Sequence, residues 1–438
     1  MIPDVRRARE SLERLVRIPS VSADPSARDH VAASADEVAL QLQEAGLSEV
    51  EVVRADGGLP AVIGRREGSP MVLLYAHHDV QPVGDVEAWN SDPFEPEERG
   101  GRLYGRGTAD DKAGVVLHCA ALRALGDSDL GITVIVEGEE EIGSPTLPAL
   151  LSDHRDRLAA DVLVLADSTN WRIGAPALTT SLRGGVSVVV EVATLQHGVH
   201  SGVYGGAVPD ALTALTRLLA TLHDGLGDVA VEGLTWGDAD PLDLTEGQLR
   251  ADAGVLDGVH LIGSGSLTSR LWQRPALSVV GIDAPTVDRA AMVLVPTARA
   301  RLALRIAPDD DATVACDALV RHLETHAPWG ARVRVTAGRV VAGYSAITTG
   351  PAYAVARDAF AEAWGVTPVE IGVGGSIGFV GMFAEAFPDA EVLITGVEDP
   401  DTRAHAANES LHLGDFEKAC LAEALFLIRL GQRSVVER

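Results

Sequence analysis

A chain of 438 residues exceeds what one ordinary hydrophobic core accommodates, so two domains are expected, and its 46% hydrophobic content is ordinary for a soluble globular protein. The formal net charge of -27 argues against nucleic-acid or anionic-membrane partners, which would require basic patches. Cys119, Cys316 and Cys420 are far apart and odd in number, and the N-terminus carries no apolar signal-like stretch; a disulfide framework, a thiolate metal site, secretion and a membrane span are therefore not expected, and a reducing, cytoplasmic setting is.

Apolar spacing predicts helices over Val5 to Arg17 and Asp29 to Ala45, the second stopped by Gly46, and short strands over Val50 to Val53 and Ala61 to Gly64. Met71 to Ala76 is a continuous apolar run, the pattern of a strand buried on both faces, and it ends in His77, His78 and Asp79. A helix opens at Asp110-Asp111, either of which can cap it. Ile132 to Val136 is a second buried-strand run, ending in EGEEEIGS; Asp161 to Ala166 is a third, ending in Asp167; Glu391 to Thr395 is a fourth, followed by the loop that holds His405. Strands alternating with helices predict an α/β fold with a mostly parallel sheet.

Between about Ser181 and Tyr344 the pattern changes. Val186 to Val192, Ala276 to Ile282, Arg299 to Ile306 and Ala331 to Val335 read as strands, and Pro209 to Leu222 and Asp310 to His326 as helices. That β-α-β-β-α-β order is the split βαβ of a ferredoxin-like domain, interrupted by a Gly- and Asp-rich insertion from Gly225 to Gly265. A helix over Pro351 to Trp364 resumes the first pattern. The expected division is a catalytic domain of residues 1–180 and 345–438, with residues 181–344 inserted into it.

Four apolar strands thus deliver His or acidic residues just past their carboxyl ends, the edge where open α/β sheets bind ligands. Singly, each residue has an ordinary structural role. His77 at a strand end is as readily structural, His78 points to the opposite face, Asp110 and Asp111 could both be caps, and acidic runs such as Glu139, Glu140 and Glu141 are usually solvated. Together they give His, Asp, Glu, Asp, His and a spare Glu. A hydrolase needs one carboxylate on a metal and a second, free one to take a proton from water, and adjacent glutamates supply both. The set suits two zinc-like ions about 3.5–4 Å apart that share one carboxylate, with no thiolate ligand.

These residues resemble the M20 metallopeptidase family of dipeptidases, carboxypeptidases and aminoacylases. The likeness runs through AHHDVQPV, LYGRGTADDK, EGEEEIGS, Asp167, HSGVYGG, LRIAP, GGSIG and RAHAANE, and the combination is closest to the carnosinase-like dipeptidase branch. The resemblance implies that His77 and Asp167 hold one metal, Glu141 and His405 the other, and that Asp110 bridges both. It implies Glu140 as general base, Asp79 as the group that orients His77, and a zinc-peptidase-type catalytic domain. The inserted domain would be a lid that also forms a homodimer, its His200 reaching a partner's site to stabilise the oxyanion. Arg305 would bind the substrate carboxylate, with Ser376 as a further contact. Val293 and Val373 stand where the family often has polar residues, and GGSIG replaces the commoner GGSIP, so the substrate pocket departs from the family pattern.

The expected activity is hydrolysis of dipeptides with a free C-terminal carboxylate by a di-metal-activated water. Zinc is the first expectation for the metal, with manganese or cobalt as alternatives. The rival readings are an N-acyl-amino-acid deacylase or carboxypeptidase of the same fold, and a non-catalytic metal- or amino-acid-binding dimer.

Overall fold

A computed structural model describes residues 2–436, with side chains through Gln432. The principal strands in chain order are β1 (Glu49–Val53), β2 (Ala61–Arg66), β3 (Met71–His77), β4 (Gly131–Glu137), β5 (Val162–Leu165), β6 (Ala177–Leu182), β7 (Gly184–Ala193), β8 (Ala276–Asp283), β9 (Thr297–Ile306), β10 (Arg332–Val341) and β11 (Glu391–Ile394). The principal helices are α1 (Val5–Val16), α2 (Arg28–Glu44), α3 (Lys112–Leu125), α4 (Ala211–Ala220), α5 (Ala312–Thr325), α6 (Pro351–Trp364) and α7 (Leu413–Val436). The chain divides into two compact units. One comprises the described parts of Met1–Thr180, Ala346–Ile371 and Gly378–Arg438; the other comprises Ser181–Ser345 and Gly372–Ile377.

In the first unit the strand order is β1-β2-β4-β3-β5-β11-β6. The four central strands, β4, β3, β5 and β11, run parallel, and antiparallel strands flank them on both sides. Their Val, Ile and Leu content is what burial on both faces selects. Val72, Leu74, Ala76, Val134, Val164 and Leu393 enter one core with α1, α2, α3, α6 and α7. On the other face Tyr75 stacks on Phe379 at 4.1 Å between ring centroids and meets Phe383 edge-on at 5.2 Å, so the helix Gly378–Ala386 covers that side.

The register aligns the carboxyl ends. His77 pairs with Glu137, and Tyr75 and Ile394 both pair with Leu165, so the loops after β3, β4, β5 and β11 leave from one edge. Asp111 caps α3 through its side chain, accepting from the Gly114 N–H at 3.1 Å. Gly114 is required there: a Cβ would fall 2.3 Å from Asp111 Oδ1 and 2.8 Å from the Ala166 carbonyl, so the helix start fits tightly against the end of β5.

In the second unit β8, β9, β7 and β10 form an antiparallel sheet in that order, and α4 and α5 pack on one face through Val186, Val188, Val190, Leu215 and Leu319. This is the ferredoxin-like arrangement. β10 runs six residues beyond the expected Val335, to Val341, because a bulge between Ala337 and Val340 lets the pairing continue past Gly338. Gly372–Ile377 groups with this unit because arginines hold it. Arg183 Nε donates to the Gly374 carbonyl at 3.0 Å, Arg305 Nη1 to Ser376 Oγ at 2.9 Å, and Ser376 Oγ to the Arg183 carbonyl at 2.7 Å.

Candidate active site

His77 is fully buried at the end of β3. Its Nδ1 lies 3.0 Å from the Asp79 carbonyl and 3.4 Å from Asp79 Oδ1, which leaves Nε2 free of the backbone. The Asp79 carboxylate accepts the N–H groups of Glu140 at 3.2 Å and Glu141 at 3.1 Å, so the loop after β3 is tied to the glutamate turn after β4. The nearest acceptor for the His77 ring is thus the Asp79 backbone, with the carboxylate behind it. His78 points elsewhere: its Nε2 lies 3.0 Å from the Pro60 carbonyl, and burial depresses its pKa to about 4, so the ring is neutral. Glu139 is likewise structural, accepting from the Leu59 N–H at 2.8 Å and from Thr146 Oγ1 at 2.5 Å.

The Asp110–Asp111 peptide is cis. Asp111 Oδ2 accepts the His77 N–H at 3.2 Å, while Asp110 turns the other way. Asp110 Oδ1 is 3.1 Å from His77 Nε2, and its Oδ2 is 2.9 Å from His405 Nε2. Asp167 Oδ2 is 3.8 Å from His77 Nε2, and Glu141 Oε2 is 3.2 Å from His405 Nε2. Two groups result, His77–Asp110–Asp167 and Asp110–Glu141–His405, each with its candidate ligand atoms within 4.8 Å of one another. Asp110 belongs to both, one carboxylate oxygen to each.

The charges in this cluster are poorly balanced without a cation. Burial, then the charges of Asp110, Glu140 and Glu141, push the Asp167 carboxyl well above its usual range against the opposing pull of His77. Burial likewise pushes the Glu140 carboxyl up to about 7. Hydrogen bonds to Asp110 and Glu141 push the His405 imidazole up to about 11. Two imidazole nitrogens and three carboxylates, with no thiolate, are a donor set for hard or borderline divalent cations, and positive charge at the two groups would offset the repulsion that raises Asp167. The residues present therefore fit two divalent ions. Glu140 has no ligand atom in either group.

Residue type and spacing assign no role to the side chains that hold this cluster. Gln81 donates its N–H to Glu141 Oε1 at 3.0 Å and its Nε2 to Oε2 at 2.8 Å, fixing both oxygens of that carboxylate. Glu409 accepts the N–H groups of Gly107 at 3.0 Å, Ala109 at 3.1 Å and Asp110 at 3.2 Å, and pairs with the buried Arg106 at 2.6 Å. Glu409 therefore shapes the turn that presents Asp110. Asn408 Nδ2 donates to the Ala88 carbonyl at 2.9 Å, and its Oδ1 accepts the Asn90 N–H at 2.9 Å. His405 (φ 63°) and Asn408 (φ 64°) both take the left-handed backbone, strain of the kind that clusters at functional loops. Glu398 is a further acidic side chain here; burial and then the charges of Asp110 and Asp167 raise its carboxyl well above the usual range. Gln81 and Glu409 each lie four residues past a proposed ligand, inside the AHHDVQPV and RAHAANE motifs. Asking what must hold a buried carboxylate or turn would find them.

His200, Arg305 and Ser376 belong to the second unit. His200 lies on the two-residue strand Val199–His200, opposite Val293, and is exposed. Its Nδ1 accepts the Gly202 N–H at 3.0 Å, so in the neutral ring Nε2 carries the proton and is a donor. Arg305 and Ser376 are joined by the hydrogen bond already described.

The model of peptidase family M20/M25/M40 matches residues 73–429, and the chain belongs to this family. It is 35% identical to a cysteinylglycine-S-conjugate dipeptidase of Corynebacterium striatum, over 99% of this chain and 97% of that one. It is 28% identical to the β-Ala-His dipeptidase of Rattus norvegicus, over 85% of this chain and 79% of the relative. The crystal structure of human carnosine dipeptidase 1 superposes with a TM-score of 0.79 at 26% identity, covering 98% of this chain and 96% of that one. The fold is thus that of the zinc-peptidase type. Among the described residues no helix is long and apolar enough to cross a membrane.

Proposed function

We infer that this chain is a metal-dependent dipeptidase that hydrolyses dipeptides with a free C-terminal carboxylate. The observation that carries the reading is the pair of ligand groups sharing Asp110, in a chain related throughout its length to dipeptidases. His77, Asp110 and Asp167 would hold one divalent ion, and Asp110, Glu141 and His405 the other. Bound there, the ions would make a water acidic and polarise the scissile carbonyl. Glu140, beside the cluster and outside both ligand groups, takes the proton from water and returns it to the leaving amine. Asp79 holds His77 in the tautomer that leaves Nε2 unprotonated. His200, a donor at Nε2, stabilises the oxyanion, and Arg305 with Ser376 takes the substrate carboxylate. We assign the second unit the roles of lid and homodimer contact, zinc as the resident metal, and the cytoplasm as the location. All of these extend the family resemblance.

The test compares metal-loaded wild type with Glu140→Gln on Ala-Ala and N-acetyl-alanine. Wild type is expected to cleave Ala-Ala and leave N-acetyl-alanine intact. The variant is expected to bind two ions and lose about 10²-fold or more in turnover. Cleavage of N-acetyl-alanine alone would make the protein a deacylase; full activity of the metal-loaded variant would remove Glu140 from its role.

A further inference from the structure

The helix-free face of the second unit carries an unbalanced positive charge. Along β7, Val186 and Val188 face α4 and α5, while Gly185 and Ser187 face the other way. Strand pairing sets Arg305 of β9 and Val341 of β10 on either side of Gly185, and Ala303 beside Ser187. The bulge in β10 leaves Arg339 next to this row. Together with Ser376 these residues line one cavity of about 220 Å³. Its floor is small by necessity: a Cβ on Gly185 would lie 3.1 Å from Ser376 Oγ and 3.4 Å from Arg305 Nη1. The two arginines rise from strands on opposite sides of that floor, about 9.5 Å apart at the usual strand spacing, which is wider than one carboxylate requires.

Of the other arginines on the same sheet, Arg299 and Arg334 pair with Asp283 and Glu191, while Arg301 and Arg332 are exposed to solvent. Among the described residues no carboxylate lies within ion-pair distance of Arg305 or Arg339. Nor does one reach Arg183, which is buried and donates to the carbonyls of Gly374 at 3.0 Å, Arg274 at 3.2 Å and Arg270 at 3.3 Å. Burial and then the charge of Arg305 lower the Arg183 pKa to about 10. An unpaired buried guanidinium is costly, and in a chain with a net charge of -27 there is no shortage of acidic residues to pair it. Arg305 is half-buried and Arg339 exposed, so both guanidinium groups are open to an anion entering the cavity, with the buried charge of Arg183 adding to their field.

We propose that this cavity is a dicarboxylate subsite: Arg305 and Ser376 take the α-carboxylate of the substrate, and Arg339 takes a side-chain carboxylate, so the preferred dipeptides end in Glu or Asp. The assignment rests on Arg305 binding the substrate's free carboxylate, as set out above. It adds Arg339 as a specificity-determining residue and Arg183 as the buried charge behind the site.

The test measures kcat/KM for Ala-Glu, the uncharged isostere Ala-Gln and Ala-Gly, with metal-loaded wild type and Arg339→Gln. Wild type is expected to favour Ala-Glu over Ala-Gln about tenfold or more, through KM, as one charge-assisted hydrogen bond would give. In Arg339→Gln that ratio should fall to about one. Equal rates on Ala-Glu and Ala-Gln in wild type would overturn the proposal, as would an unchanged ratio in the variant. Failure to cleave any of the three would overturn the dipeptidase reading itself, and this one with it.

Discussion

Gln81 shows how much of the site is built by side chains that would touch neither metal nor substrate. It holds both oxygens of Glu141 with its backbone N–H and its amide, so Oε2 stays turned toward His405. Without Gln81 the carboxylate would rotate and be rehydrated. Gln81→Ala is expected to lower affinity for one of two bound ions by about 10–100-fold and leave the other unchanged, since Gln81 hydrogen-bonds Glu141 and neither His77 nor Asp167. A competitive-chelator titration reads this directly, and two unchanged affinities would dismiss the role. The candidate ligands can be read from the sequence because the chemistry needs particular residue types at strand ends. Gln81 and Glu409 lie inside the same motifs but carry no such mark, because a hydrogen-bonding amide or a turn-holding carboxylate is recognised only by asking what holds the ligand or its turn in place. The division of labour in Asp110-Asp111 is equally hidden: both are capping types, and only the structure shows Asp111 serving the helix while Asp110 faces the cluster.

At the scale of elements, α3 is fixed under the sheet by a buried polar contact. His118 Nδ1 lies 2.8 Å from Glu423 Oε1 on α7, and Nε2 lies 3.0 Å from the Tyr75 carbonyl on β3. A neutral imidazole can donate to only one of two acceptors, so the arrangement favours the imidazolium. Burial opposes that charge, but Glu423 outweighs it and the pKa is raised. A raised folded-state pKa stabilises the fold fully below the unfolded value near 6.5, and that contribution is lost as pH rises through the folded value. Urea denaturation should therefore show stability falling on the alkaline side, and His118→Leu should abolish that part of the slope. The single variant also leaves Glu423 buried and alone, at about 3–5 kcal/mol, and adding Glu423→Leu should recover much of the loss. An identical pH slope in wild type and the double variant would refute the account. The buried strands are legible because a continuous Val/Ile/Leu run bounded by turns fits little but a strand buried on both faces. The helix α7 is absent from the expected elements despite its period: it follows the short strand Ser410–His412 directly, without an intervening turn to mark its start. The grouping of Gly372–Ile377 with the second unit depends on hydrogen bonds from Arg183 and Arg305, which no local pattern announces.

For the whole molecule, the α/β architecture brings residues from five separated stretches to one sheet edge, and the family resemblance extends across nearly the full chain. The order of the elements is readable because the inserted β-α-β-β-α-β run differs in kind from the parallel α/β pattern around it. The chain is strongly acidic, and the arginine-lined cavity of the second unit is a local reversal of that sign. Two ions, sharing Asp110, would make the chain a hydrolase on this account. The most direct test strips the protein with a chelator and titrates zinc or manganese back while following Ala-Ala hydrolysis. Activity should be absent in the stripped protein and should rise to a plateau as the second equivalent per chain is bound. Hydrolysis by the metal-free protein, or a plateau reached at one equivalent, would contradict the shared-carboxylate centre.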